Sequence, residues 1–399
     1  MIGPRRQPPV VSHVTPSTVL AAARVAARRY SGRVDRGDEV VRSALSTRYD
    51  ARAVALTDSG TSALVIALRL AVPPRGTVAL PAYGCVDLIA AAVRARVWVR
   101  LYDIDPVTLS PDLESVRRAL ARGADAIVVA HFYGYPADMP ALRALADAAG
   151  ARVIEDAAQH AGGRLGGTRL GAFGPLTVLS FGRGKGTTGG RGGALLATAD
   201  AGAAMIGAVE ARGRAMPAPA AGWGEVAIVT AQWAFGRPAG YGLAASIPGL
   251  HLGETIYHPA GEPGPLSRAA AALVRRGLPH TDAERLARAS VAESLTAQLG
   301  RVPSFHVVQP IPGSAPGYLR LAALDEAGRR PAPLLGVVRS YPRPLGEEPE
   351  LAPIVHRNEP DATGARDICR KLFTLPVHEY VGPDDQRAII EWACSGAMG

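Results

Sequence analysis

Val153-Ile154-Glu155-Asp156-Ala157-Ala158-Gln159-His160 reads as a short apolar strand that ends in two carboxylates. On both sides of it, short apolar runs alternate with amphipathic stretches. The strand candidates are Ala53–Leu56, Thr77–Leu80, Val97–Tyr102, Ala126–Ala130, Arg152–Ile154, Thr177–Phe181 and Ala194–Ala197. Helical spacing lies between several of them, as in Ala63, Leu64, Ala67, Leu68 and Ala71, in Leu113–Ala121 and in Met139–Ala149. Strand and helix in alternation predict an open, largely parallel α/β sheet. Ligands of such sheets sit beyond the carboxyl ends of the strands. Asp156 therefore stands where a carboxylate holds a cation or a protonated ring nitrogen; a helix N-cap acid is the alternative.

The 399 residues leave room for two or three domains. Residues 1–30 read as an N-terminal arm, Pro-rich and then helical from Ser17 to Tyr30. Residues 31–255 read as a large α/β domain, whose last part, 200–255, loses the rhythm and is rich in Ala, Gly, Pro and Trp. Residues 256–399 read as a smaller C-terminal α/β domain. It has helical patterns at Leu266–Arg276, Thr281–Leu299 and Asp384–Ala393, and strand-like runs at Phe305–Gln309, Tyr318–Ala323 and Leu334–Val338.

With 48% hydrophobic and 20% charged residues, global disorder is excluded. Of the 44 basic residues only Lys185 and Lys371 are lysine. The arginines that make the net charge +9 are spread along the chain among acids, and no Cys/His finger or RNA-reading aromatic motif accompanies them. That pattern predicts a solvated arginine surface and no nucleic-acid partner. Three cysteines are too few and scattered for a disulfide framework or a metal cluster and suit a reducing cytoplasm. The start lacks the apolar core of a signal peptide, and Val226–Leu252 is interrupted by Arg237, Gly and Pro, so no bilayer span is expected.

Three further segments carry chemistry. In Asp58-Ser59-Gly60-Thr61-Ser62-Ala63-Leu64 a strand passes into a helix. Gly60 permits an unusual turn, and Thr61 and Ser62 offer hydroxyls and backbone N–H groups suited to a phosphate, or serve only as a helix cap. Leu179-Ser180-Phe181-Gly182-Arg183-Gly184-Lys185-Gly186-Thr187-Thr188-Gly189-Gly190 leads a strand into a glycine-rich loop. A lysine amine deprotonates and forms a Schiff base with a carbonyl, which a guanidinium does not. Chance survival of an exposed lysine is the plainer alternative, and it suffices for Lys371. The loop lacks G-x-x-x-x-G-K-[ST] spacing, which argues against ATP hydrolysis. Pro81-Ala82-Tyr83-Gly84-Cys85 puts Tyr83 either over a flat cofactor or in the core.

Together these segments resemble the DegT/DnrJ/StrS family of pyridoxal-phosphate-dependent sugar aminotransferases, of fold type I. The resemblance covers roughly residues 45–200 and 330–380. It runs through His131-Phe132-Tyr133-Gly134-Tyr135-Pro136-Ala137-Asp138-Met139, Glu155–Gln159, Ser180-Phe181 and Lys185, with Asp103-Ile104-Asp105-Pro106, Tyr341-Pro342-Arg343-Pro344-Leu345 and Leu375-Pro376-Val377-His378. It implies a large cofactor-binding domain with a mostly parallel sheet, a smaller C-terminal domain and a homodimer. It also implies that Lys185 forms the Schiff base with pyridoxal 5'-phosphate and shuttles the proton, that Asp156 pairs with the pyridine nitrogen and that Gln159 bonds the ring hydroxyl. Gly60, Thr61, Ser62 and Ser180 would hold the phosphate, and either Tyr83 or Cys85 would cover the ring. The implied reaction is ping-pong transfer of an amino group from an amino acid, L-glutamate, to a nucleotide-linked keto-sugar, with no metal.

The chain also departs from the family. Gly182 stands where histidine is usual, Arg191 stands near the usual acid in Thr187–Gly193, and Cys85 falls where the stacking aromatic often sits. The segment that usually serves the neighbouring subunit's site is replaced by an apolar stretch from Trp233 to Pro259, with Trp223 before it and Phe235 and Tyr241 within it. This stretch reads as a subunit-interface loop or as a lid for a greasier substrate. Two other readings stay open: the same cofactor used on a more apolar substrate for dehydration or aromatisation, or a non-catalytic regulatory or scaffold relative. Lys185, where sugar dehydratases of the family carry histidine, argues against dehydration.

Overall fold

Seven strands form the central sheet of the computed structural model, which describes residues 5–28, 36–211, 219–246 and 256–395. They are β1 (Ala53–Thr57), β2 (Thr77–Pro81), β3 (Trp98–Tyr102), β4 (Ala126–Ala130), β5 (Arg152–Asp156), β6 (Leu176–Ser180) and β7 (Gly193–Ala197). Their order is β1-β7-β6-β5-β4-β2-β3. Neighbours run parallel except at β7, which is antiparallel to both β1 and β6. Every residue of β2, β4 and β7 is buried, which is why these strands read as continuous apolar runs and not as alternating ones.

Helices cover both faces. With the arm helix as α1 (Pro16–Ala27) and the next as α2 (Arg36–Tyr49), α3 (Gly60–Ala71) packs on α4 (Asp87–Ala95) and α5 (Leu113–Ala121) on α6 (Met139–Ala148). Leu64, Leu68, Ile89, Leu120 and Leu142 of these helices share a core with β2 to β5. Around β1, β7 and β6, Val41 and Leu45 of α2 meet Leu179, Leu196, Ala270 and Val274. The helix Arg268–Gly277, expected in the smaller domain, therefore packs its apolar side on the large sheet. The remaining core gathers Ala292, Leu295 and Leu299 of the helix Thr281–Leu299, Ile389 of the helix Pro383–Cys394, and an antiparallel sheet of Phe305–Val307, Leu321–Asp325 and Leu372–Leu375.

Two expectations need correction. Leu334–Val338 is not a strand: Pro333–Leu335 is a 3-10 turn ended by Gly336 at φ +72°, and only Val338 bridges to Thr374. The stretch from 200 that breaks the rhythm is largely helical, as Asp200–Ala211, Trp223–Phe235 and Pro238–Ala245. Residues 212–218 and 247–255 of that stretch lie outside the described residues. Val226 and Val229 of the helix Trp223–Phe235 pack with Ala22 and Ala26 of the arm helix Pro16–Ala27 and with Leu273.

The arm before that helix is a strap. Arg6 N–H donates to Pro238 O (3.1 Å) and Gln7 N–H to Leu334 O (2.9 Å). The His378 Nε2–H donates to Pro8 O (2.8 Å), and Gly184 N–H donates to Ser12 Oγ (3.2 Å). The strap thus joins the helices after 222, the smaller sheet and the glycine-rich loop. Among the described residues no helix is long and apolar enough to cross a membrane.

Candidate active site

The register pairs Ala130 with Asp156, Asp156 with Val178 and Ser180 with Gly193. The carboxyl ends of β4, β5 and β6 therefore open together onto a cavity of about 370 Å³. Gly60, Thr61, Asp156, Gln159, Ser180 and Lys185 line it. These six expected residues come from three separate segments, and the sheet brings them to one place.

Two expected residues are placed elsewhere. Ser62 is buried in the first turn of α3, where its hydroxyl accepts from Ser59 Oγ (2.9 Å) and its N–H donates to the same oxygen (3.0 Å). Tyr83 is a core residue. Its hydroxyl shares a 2.6 Å hydrogen bond with Tyr133, and its ring meets Phe132 and Tyr341 edge-on. Cys85, two residues on, lines the cavity in its stead, with burial pushing its thiol up to about 12.

Glu155 and Asp156 have opposite environments. Glu155 is fully buried and accepts from His131 Nε2 (2.9 Å), from the N–H groups of Gly171, Phe173 and Gly174 (2.6, 2.8 and 2.8 Å) and from Thr177 Oγ1 (3.1 Å). These donors outweigh burial and hold its carboxyl below the usual range. His131 accepts from Ala137 N–H at Nδ1 (3.1 Å), so the proton it offers Glu155 is on Nε2. Asp156 accepts from Ala158 N–H (3.0 Å), and burial raises its carboxyl, with the Lys185 ammonium opposing. A cation brought against Asp156 relieves that cost.

Gln159 is oriented at both ends: its Oε1 accepts from Tyr133 N–H (2.9 Å), and its Nε2 donates to the Tyr341 hydroxyl (2.9 Å). Tyr133 has φ +54°, a conformation costly for a residue with a side chain and found where a site demands it. The smaller domain grips the same turn, since Leu319 N–H donates to Tyr133 O (2.8 Å) and Gly317 N–H to Gly134 O (2.8 Å). His160 points away, held between the Tyr49 hydroxyl (2.8 Å) and Ala157 O (2.7 Å).

At the start of α3, a Cβ on Gly60 would stand 2.8 Å from Ser180 Cβ, so only glycine lets the helix N-terminus close on the strand end. Lys185 is flanked by Gly184 and Gly186 at φ +72° and +82°, which turn its side chain into the cavity mouth. It also lines an adjoining cavity of about 450 Å³, together with Asp87, Arg183, Arg320 and Tyr341.

An amine, a buried carboxyl, an oriented amide and the hydroxyls and N–H groups at a helix start surround one space. That donor set fits a planar, phosphate-bearing aldehyde cofactor with a basic ring nitrogen. Sequence reading gave no role at this space to Ser59, Asp87 and Arg183, and it noted Arg191 only as a departure from the family. Their signal was proximity to motifs already singled out, and Arg191 reaches the cavity because Gly192 bridges to Ser59.

The profile of the DegT/DnrJ/EryC1/StrS aminotransferase family matches residues 21–393. The chain belongs to the DegT/DnrJ/EryC1/StrS aminotransferase family. Two curated relatives are a UDP-N-acetyl-3-dehydro-alpha-D-glucosamine 3-aminotransferase of Acidithiobacillus ferrooxidans and a dTDP-3-amino-3,4,6-trideoxy-alpha-D-glucose transaminase of Streptomyces venezuelae. The first is 35% identical over 144 residues, 36% of this chain and 39% of the relative. The second is 39% identical over 132 residues, 32% of this chain and 34% of the relative. The matched stretches thus span less than two fifths of these relatives. In fold, this family member is similar to the crystal structure of S. venezuelae DesV in complex with a ketimine intermediate, with a TM-score of 0.74 and 22% identity over 96% of this chain and 95% of that one.

Proposed function

We propose that this chain is a pyridoxal-phosphate-dependent aminotransferase that moves an amino group from L-glutamate to the carbonyl of a keto-sugar. The carrying observation is Lys185, on a glycine-rich loop, facing Asp156 across a cavity that also takes in the start of α3. Family membership and the names of the curated relatives support the same reading.

When bound, the cofactor supplies an aldehyde for Lys185 and an electron-accepting ring. The Lys185 Nζ takes the proton from the donor's α-carbon and returns one to the acceptor carbon in the second half of the cycle, a role worth roughly 10²–10⁴-fold. Asp156 holds a proton at the ring nitrogen, and its own burial makes that cation a stabilising partner. Gln159, fixed by Tyr133 and Tyr341, orients the ring's hydroxyl side. Thr61, Ser180 and the first N–H groups of α3 hold the phosphate, with Arg191 adding charge at that end.

We place the protein in the cytoplasm, where its free cysteines suit reducing conditions, and assign it a homodimer. We also propose the division into an arm of 1–30, a large domain of 31–255 and a smaller domain of 256–399, with the helix Arg268–Gly277 docked on the large sheet.

The test is the first half-reaction. Cofactor-loaded protein given L-glutamate should release 2-oxoglutarate stoichiometrically with its sites, and Lys185→Ala should release none. Wild-type protein that binds the cofactor yet releases nothing, from glutamate or any other amino acid, overturns the assignment.

A further inference from the structure

Beyond the lysine cavity the space continues into a groove of about 480 Å³. Both its size and its lining suit a small-molecule site. Val10, Arg183, Gly184 and Arg320 line the groove and the adjoining lysine cavity alike, so the two are one passage. The groove lies between the strap and the two helices that follow residue 222. Its walls are Pro9, Val11, Ile228, Ala231, Phe235 and Ala244, and among the described residues no acid lines it.

The junction is differently built. Arg320 Nη1 donates to Ser340 Oγ and Thr374 Oγ1 (3.2 Å each), which pins the guanidinium at the neck. Arg183 stands at the same neck. Among the described residues neither arginine has an ion-pair partner. Two unpaired guanidiniums suit a phosphate. Past them most of the wall is hydrocarbon and offers a nucleobase few partners: Gln232 Oε1 accepts from Thr188 Oγ1 (3.4 Å), which leaves Gln232 Nε2 as an unpartnered buried donor.

We propose that the acceptor is a keto-sugar joined through phosphate to an apolar chain, with the phosphate between Arg183 and Arg320 and the chain in the groove. This deepens the aminotransferase reading and rests on it. Tyr241 also lines the groove, and Arg6 lies over its ring at 5.7 Å, which holds the strap on the helix Pro238–Ala245.

The probes are hexyl, octyl and decyl phosphate below their micelle concentrations, with thymidine diphosphate for comparison, titrated calorimetrically into the cofactor-loaded protein. Full burial gives about fourfold in affinity per methylene, and at least tenfold is expected from hexyl to decyl. Arg320→Gln should weaken all three alkyl phosphates alike and keep the slope. Phe235→Asp, at an exposed position, and Ile228→Asp should flatten it, with circular dichroism confirming the fold. A flat series in the wild type, thymidine diphosphate binding as tightly as decyl phosphate, or a slope that survives both aspartates overturns the proposal. Release of 2-oxoglutarate from glutamate with a flat series sinks this inference alone. A steep series without release keeps the groove assignment and sinks the aminotransfer reading.

Discussion

Glu155 and Asp156 are neighbours on one strand, and their substitution separates stability from turnover. Asp156→Ala should cut turnover about 10²–10⁴-fold, while the denaturation midpoint moves little, because only Ala158 N–H loses its acceptor. Glu155→Ala should do the reverse. It leaves His131, three backbone N–H groups and Thr177 without their shared acceptor, at a cost of about 3–5 kcal/mol. Equal losses of stability in the two variants would refute the division of labour.

His160 gives a pH signature. Burial lowers its pKa to about 4, below the roughly 6.5 of an unfolded histidine, so between these values the unfolded chain binds the extra proton. Stability is full above pH 6.5 and falls as pH drops toward 4, by roughly 3 kcal/mol from this group. Asp156, with its raised carboxyl, works in the opposite direction and is common to wild type and variant. Urea titrations at pH 7 and pH 4.5 should therefore show a smaller loss in His160→Gln than in the wild type. Parallel losses would discount the histidine.

At the level of elements, Gly60 carries the contact between α3 and β6. Gly60→Ala should weaken cofactor binding at least tenfold without loss of helix content, since the added methyl meets Ser180. Spectroscopic titration with the cofactor checks this, and an unchanged affinity would show that the close approach is dispensable. The seven strands were legible because each is short, apolar and followed by Gly, Pro or a polar turn, and their observed bounds differ by no more than two residues from those read off the sequence. Asp156 was legible as a strand-end acid. The helices Trp223–Phe235 and Pro238–Ala245 were not, because apolar residues surround them on all sides and leave no stripe. Tyr83 misled for a similar reason. A tyrosine after a strand satisfies a core as readily as a cofactor, and only the Tyr133 hydroxyl, 50 residues away, decides between them.

For the molecule as a whole, the strap is the cross-brace. A chain lacking residues 1–12 should be cut by trypsin at the exposed Arg183 several times faster than the intact chain, because Gly184 loses Val10 and the Ser12 hydroxyl. Peptide mapping after timed digestion reads this, and equal rates would mean the loop holds its shape unaided. The proposed homodimer predicts a sedimenting mass of twice 41.4 kDa, and a mass of 41.4 kDa would refute it.

Strand β1 has one neighbour in the sheet, and that neighbour is β7, pairing Ala53 with Ala197. During synthesis the ribosome must therefore deliver about half of the polypeptide before the first strand finds a mate. Until then a hydrophobic strand waits with its amides bound only to water, open to misassociation in the nascent chain.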